Sequence, residues 1–272
     1  MLTFPNAKIN IGLNIVEKRP DGFHNIESVF YPINWCDALE AIPAETLRFE
    51  SSGLSIPGDQ SNNLCLKAWH LLRNSLPELA DKAVAFHLHK VIPMGAGLGG
   101  GSADGAFTLK ILNEIFALGL STAGIQHYAR QLGSDCAFFI ENRPVYCFHK
   151  GDEFEEFSLN LKNKFIVVVN PAIHISTAEA YSGVTPQKPG VPLKEALMQP
   201  ISTWEGLIKN DFEKKLLEKY PSIAETKKNL YQQGALYASM TGSGSTVYGI
   251  FETEKDIKAQ FPDFAVWQGF LD

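Results

Sequence analysis

Pro93-Met94-Gly95-Ala96-Gly97-Leu98-Gly99-Gly100-Gly101-Ser102-Ala103-Asp104 is the stretch on which the reading of this chain turns. Five glycines fall within seven residues, immediately ahead of an apolar helical pattern. Helix and strand interiors disfavour that density, because each glycine gives up extra backbone entropy on folding. A loop that curls tightly around a ligand tolerates it. The amide donors and positive dipole end of the helix that follows suit an anion such as a nucleotide phosphate. A flexible Gly/Ser linker would not run straight into a well-patterned helix.

Working outward, Ser102 to Leu118 reads as that helix, with Phe107, Ile111, Leu112 and Ile115 as its buried stripe. Upstream, Val84 to Val91 alternates as a strand, with Val84, Phe86, Leu88 and Lys90 on one face and His87, His89 and Val91 on the other. Asn63 to Asn74 has helical spacing. Further back, Phe4 to Glu17 alternates, with Ala7, Ile9, Ile11, Leu13 and Ile15 on one face and Lys8, Asn10 and Asn14 on the other. Arg19 to Gly22 is a turn, and Asn25 to Phe30 leads into a second strand. Downstream, a helix near Ala123 to Leu132 ends at Gly133, and Phe165 to Val169 is a short buried strand. Helices are expected near Ile201 to Glu218 and Ser222 to Gln233. Two strands, Ala235 to Met240 and Thr246 to Phe251, flank a Gly-Ser loop, and Phe264 to Leu271 makes a last strand. Strands and helices mix without strict βαβ alternation, so the fold class is α+β. The polar, acidic stretch Tyr146 to Glu156 suggests a border between domains at 1–150 and 151–272.

The composition, 45% hydrophobic and 20% charged, is that of an ordinary soluble globular protein. A net charge of −6 argues against nucleic-acid or anionic-membrane partners, which call for a basic face. No apolar run reaches the roughly 18 residues of a membrane span, and no signal or transit segment is visible. Cys36, Cys65, Cys136 and Cys147 are scattered without a CxxC pair, which favours free thiols in a reducing compartment. A cytoplasmic location follows as the expectation.

Three phosphate loops compete. A Walker A loop needs GxxxxGK[ST], but Gly101 is followed by Ser102 and no lysine appears before Lys110. Gly95, Gly97 and Gly100 satisfy GxGxxG, yet Pro93 precedes the loop and the downstream acid, Glu114, lies inside a helix, which disfavours a dinucleotide fold. The stretch instead resembles, nearly letter for letter, the glycine-rich motif of the GHMP kinases, roughly P-x-G-x-G-L-G-[GS]-[GS]-S-A. Pro5-Asn6-Ala7-Lys8-Ile9-Asn10 and Met240-Thr241-Gly242-Ser243-Gly244-Ser245 resemble two further motifs of that family, in the expected order. Pro20-Asp21-Gly22-Phe23-His24 is similar to the RxDGYH signature of the 4-diphosphocytidyl-2-C-methyl-D-erythritol kinases, and Leu132-Gly133-Ser134-Asp135 to their LGxDVPFF segment.

The resemblance covers essentially the whole chain and implies a two-domain fold. An N-terminal domain like domain 2 of ribosomal protein S5 and a C-terminal ferredoxin-like α/β sandwich would place the active site in the cleft between them. It implies ATP and Mg2+ as cofactors and a cytidine diphosphate methylerythritol as the alcohol, phosphorylated at its 2-hydroxyl. Pro93, Met94, Gly95, Ala96, Gly97, Leu98, Gly99, Gly100, Gly101 and Ser102 would hold ATP. Asp135 would act as base, and Lys8 would keep it ionised and stabilise the oxygens in flight. Asn10, Phe23, His24, Thr177, Tyr181, Thr241 and Gly242 would bind the substrate, with Phe23 and Tyr181 stacking on the cytosine and His24 contacting it by its backbone.

Plainer roles stand beside these: a helix N-cap for Ser102 or Asp135, a solvated strand face for Lys8, a surface histidine at His24, a hairpin turn at Thr241 to Ser245. Asp104 is either a first-turn acid answering the helix dipole or a contributor to magnesium, for which no protein ligand set stands out. Gly105, inside the first turn, is expected to loosen the helix slightly. A monomer or weak homodimer is expected. Rival functions are another GHMP kinase acting on homoserine, mevalonate or a sugar, a non-catalytic nucleotide-binding protein, or an NAD-dependent oxidoreductase.

Overall fold

The computed structural model describes residues 1–271. In chain order, β1 (Leu2–Thr3), β2 (Asn6–Lys18), β3 (His24–Cys36), β4 (Ala38–Ala44) and β5 (Arg48–Gly53) lead to α1 (Leu64–Ser75) and β6 (Ala83–Lys90). Helices α2 (Gly100–Ile115), α3 (Thr122–Leu132) and α4 (Phe138–Glu141) follow, then β7 (Val145–Phe148), β8 (Glu153–Glu156) and β9 (Phe165–Asn170). The remainder comprises α5 (Thr177–Ser182), α6 (Leu193–Leu197), α7 (Glu213–Lys219), α8 (Pro221–Gln232), β10 (Tyr237–Met240), β11 (Val247–Phe251) and β12 (Ala265–Phe270). The architecture is α+β.

The chain forms two compact units, each assembled from separated segments. The first takes Met1–Ala7, Trp35–Met94 and Gly99–Arg143. Its sheet runs β1-β4-β6-β5, antiparallel except for the parallel β5/β6 pair. The period-2 pattern of β6 places Val84, Phe86, Leu88 and Lys90 inward and leaves His87 and His89 exposed. Helix α2 is buried almost throughout, packed on α1, α3, α4 and β4. Gly105 makes the α1 contact possible, since a Cβ there would come 3.0 Å from Leu64 Cβ. The expected loosening is thus a close helix–helix approach, with the missing side chain as its cause.

The second unit takes Lys8–Asn34, Gly95–Leu98 and Pro144–Asp272. One sheet runs β2-β3-β7-β8; the other, β10-β11-β9-β12, is antiparallel throughout, with α8 against β10 and β11. Val167, Val169, Ile223, Leu230, Ala238 and Val247 belong to its buried core. In β2 every residue from Asn6 to Ile15 is buried, so the face carrying Lys8, Asn10 and Asn14 is not solvated.

The long helix expected at Ile201 to Glu218 does not form. A 3-10 turn at Ile201–Thr203 and α7 are all that is helical there. Between them the chain runs beside β2: Leu13 N–H donates to Lys209 O at 2.8 Å and Asp211 N–H to Leu13 O at 2.8 Å. The Asn210 amide holds this course by donating to Met240 O (2.8 Å) and Gly242 O (2.9 Å). Tertiary hydrogen bonds have overridden local helix propensity.

Candidate active site

In the second unit the middle of the glycine-rich stretch is held by neutral groups. Thr241 Oγ1 donates to Gly97 O (3.1 Å), Thr246 N–H to Ala96 O (3.4 Å) and Lys8 N–H to Leu98 O (2.9 Å). Gly97 has φ +80°, and a Cβ there would run into the Thr241 carbonyl. Only glycine fits, because it alone adopts this conformation cheaply and occupies no side-chain volume. Thr241 and Gly242 are buried in the β10/β11 hairpin, where Met240 pairs with Val247. The hairpin reading is realised, and the same hairpin contacts the glycine stretch through Thr241.

Lys8 is 4% exposed; its Nζ donates to Asn10 Oδ1 at 2.5 Å and lies 4.5 Å from the Phe30 ring centroid. Asn10 is fixed on three sides. Its N–H donates to Thr241 Oγ1 (2.9 Å), its Nδ2 to Ser28 Oγ (2.9 Å), and its carbonyl accepts from the Tyr248 hydroxyl (3.0 Å). A lysine and an amide buried this fully need such partners, since unpaired buried polar groups are costly.

The expected base-stacking residues are also in this unit. The His24 ring lies on Tyr181 at 4.8 Å and 22° between planes, and Tyr181 meets Phe212 edge-on at 4.9 Å. Burial, aided by Lys18, holds the His24 imidazole below its ordinary pKa. Phe23 is 59% exposed, with the Lys150 ammonium 5.3 Å from its ring centroid. It is the His24 ring, and not that of Phe23, that stacks on Tyr181. Thr177 opens α5 on an exposed turn capped by Ser176. A cavity of about 620 Å³ elsewhere in the unit, lined in part by Lys209, Asp211 and Lys215, contains none of the residues singled out from sequence.

In the first unit the stretch resumes at Gly99, which caps α2 in a left-handed conformation (φ +72°). Ser102 is therefore the third residue of the helix and not its N-cap, and its hydroxyl is hydrogen-bonded with the Cys136 thiol. Pro93 and Met94 precede the helix, and Gly100 and Gly101 begin it. Asp135 is partly exposed on the turn before α4, whose N-cap is Ala137; the N-cap reading of Asp135 falls as well. The bond between Ser102 and Cys136 brings this turn to the head of α2. A cavity of about 160 Å³ beside it is lined by Asn62, Asn63, Leu64, Met94, Gly101 and Asp104, among others.

Asp104 is not the first-turn acid offered from sequence, since α2 begins at Gly100 and has no acidic residue in its first turn. It is buried, and its Oδ2 accepts from Lys90 Nζ at 2.7 Å, while the same ammonium reaches Asp37 Oδ2 at 2.5 Å. Burial pushes the Asp104 carboxyl up to about 7 against the pull of Lys90, with Asp37 adding to the rise. Burial alone would depress Lys90, but the two carboxylates reverse that and raise it. Among the described residues no group of three His, Cys, Asp or Glu side chains could hold a metal ion, and no two cysteines form a disulfide.

The models for the GHMP kinase N-terminal and C-terminal domains match residues 63–143 and 193–264. The chain belongs to the GHMP kinases. Among the relatives of this GHMP kinase is 4-diphosphocytidyl-2-C-methyl-D-erythritol kinase of Cytophaga hutchinsonii, 52% identical over 257 residues and 94% of each chain. The protein of the same name from Parabacteroides distasonis is 46% identical over the full length of both. A solved structure of 4-(cytidine 5'-diphospho)-2C-methyl-D-erythritol kinase superposes with a TM-score of 0.85 at 26% identity, over 100% of this chain and 99% of the other. A mevalonate kinase structure shares the fold, with a TM-score of 0.73 at 15% identity over 100% and 99%. Among the described residues, no helix of this GHMP kinase is long and apolar enough to cross a membrane.

Proposed function

We propose that this GHMP kinase transfers the γ-phosphoryl group of ATP to the 2-hydroxyl of 4-diphosphocytidyl-2-C-methyl-D-erythritol, giving the 2-phosphate and ADP, in the non-mevalonate route to isoprenoids. The observation that carries the reading is end-to-end similarity, at 52% and 46% identity, to relatives bearing that enzyme's name.

Phosphoryl transfer is mainly positioning and charge stabilisation. Residues Pro93 to Ser102 supply backbone amides and the α2 N-terminus to the phosphates. Asn62, Asn63 and Met94, lining the adjoining cavity, receive the nucleoside end of ATP. Asp135 accepts the proton of the acceptor hydroxyl, and the Lys8 ammonium counters negative charge on the transferring oxygens. Asn10, Thr241 and Gly242 bind the acceptor alcohol beside Lys8. At the cytidine end, Tyr181 offers its ring to the base and Phe23, already exposed, closes over it, with His24 and Thr177 at the pocket's edge. The kinase works in the cytoplasm as a monomer or weak homodimer, which sedimentation of the purified protein tests.

The deciding experiment is ADP release with MgATP, comparing the cytidylated alcohol with the same compound lacking its cytidine. Release confined to the cytidylated compound is expected. Equal rates would sink the cytidine pocket, and no release from either would overturn the assignment. Asp135→Ala is expected to lower kcat by about 10²–10⁴-fold with an unchanged melting temperature. Near-normal turnover in that variant would remove Asp135 from the role of base.

A further inference from the structure

Lys90, Asp37 and Asp104 are 1%, 1% and 3% exposed, and all three belong to the first unit. They come from the end of β6, the residue ahead of β4 and the second turn of α2. Lys90 is followed directly by Val91 and Ile92, whose N–H groups both donate to Asp37 Oδ1, at 2.6 and 2.8 Å. Asp37 therefore fixes the backbone entering the glycine-rich stretch, and Asp104 anchors the helix leaving it. Lys90 Nζ joins the two.

Gly100 and Gly101 divide along the same line. A Cβ at Gly100 would come 2.9 Å from Ile92 Cγ2 and 3.1 Å from Lys90 Nζ, whereas a Cβ at Gly101 would meet nothing within 4 Å. Gly100 faces Lys90 of the ionic trio, and Gly101 faces the open cavity that it lines with Met94, Asn62 and Asp104. Asp104 Oδ1 is buried without a hydrogen-bond partner, so the trio keeps a partly unsatisfied acid in the fold. Replacing such clusters with apolar residues is often neutral or stabilising, so stability alone does not account for it.

We propose that Asp37, Lys90 and Asp104 are positioning residues for the phosphate donor: they clamp the chain on either side of the glycine-rich stretch at the spacing its amides need to receive the nucleotide's phosphates. The inference rests on ATP binding at that stretch. Asp37 and Lys90 lie outside the cavity that Gly101 lines and act through Val91, Ile92 and the first turn of α2, while Asp104 also lines it, so loss of the trio weakens the nucleotide and spares the alcohol.

Equilibrium binding of MgATP without the alcohol, followed by steady-state kinetics with both substrates, tests this. Wild-type protein is measured first; failure to bind MgATP would overturn the site assignment itself and not the clamp alone. Asp104→Ala leaves the Lys90–Asp37 pair intact; because Asp104 also lines the cavity, Asp37→Ala, at a residue outside it, is measured beside it and must show the same rise. A tenfold or greater rise in the MgATP Kd and KM is expected, with the alcohol KM within twofold and a single cooperative melt. Asp104→Asn, whose amide oxygen can still accept from Lys90, is expected to restore the MgATP Kd to within threefold of wild type. In the double variant Lys90→Met/Asp104→Ala, the two losses should be less than additive. The clamp is overturned if Asp104→Ala binds MgATP as wild type does, or if both KM values rise together in step with a lowered melting temperature.

Discussion

Two buried polar clusters grip the glycine-rich stretch, and they do so with different chemistry. In the first unit the flanking residues are tied by charge: one ammonium between two carboxylates, one of which also takes two backbone N–H groups. In the second unit the groups that touch the middle are neutral hydroxyl, amide and carbonyl groups around Thr241 and Asn10, the one charge nearby being the Lys8 ammonium on the Asn10 side chain. A neutral hydrogen bond contributes about 0.5–1.5 kcal/mol net and can be lost singly. A buried ion cluster has large opposing terms, so deleting one member leaves the others uncompensated. The charged grip should therefore fail all at once and respond to pH, and the neutral grip should weaken by degrees at any pH.

Lys90→Met tests the contrast most severely. It leaves two carboxylates buried together and should cost about 3–5 kcal/mol, visible as a lowered urea midpoint. A loss below 1 kcal/mol would erase the distinction between the clusters. Gly97→Ala ranks next: the φ of +80° and the Thr241 carbonyl both oppose a methyl group. About 1–3 kcal/mol of strain is expected by denaturation, with weaker MgATP binding by titration calorimetry. Thr241→Val removes the bonds to Gly97 and Asn10 while keeping the shape, for about 1 kcal/mol at both pH 6 and pH 8.

The charged grip also carries a pH dependence. The Asp104 carboxyl, raised in the fold to about 7 from an ordinary 3.8, binds its proton more tightly when folded. Its contribution to stability is complete below about pH 3.8 and declines as pH rises toward 7, then stays flat. Urea unfolding from pH 5 to 8 should show a fall that Asp104→Asn abolishes; identical profiles would place the titration elsewhere.

The elements nearest the glycine stretch were legible because their periodicity is strong. Strand β6 alternates in register with its burial, and α3 is closed by Gly133 as expected, while its cap, Ser121, lies two residues ahead of the expected start. The trio was legible only in part. Lys90 shares the inward face with Val84, Phe86 and Leu88, and a lysine in that position is itself a sign of a buried ion pair. Nothing local marks Asp37 as its partner, 53 residues away. The Ile201 to Glu218 helix failed for the same kind of reason, since the Asn210 amide is committed to carbonyls 30 and 32 residues further on. For Phe23 and His24, the sequence shows two rings beside a turn but not which of them rests on Tyr181.

The last strand has a consequence for how this protein is made. β12 ends at Phe270 and covers one edge of β9, whose six residues, Phe165 to Asn170, are all buried. On the ribosome that edge must wait for the segment from Asn170 to Phe270 to be synthesised, exposing an apolar strand of the kind that templates aggregation. A chain cut ahead of Ala265 would carry its glycine-rich stretch complete and one sheet unfinished, a substrate for quality control and not for catalysis.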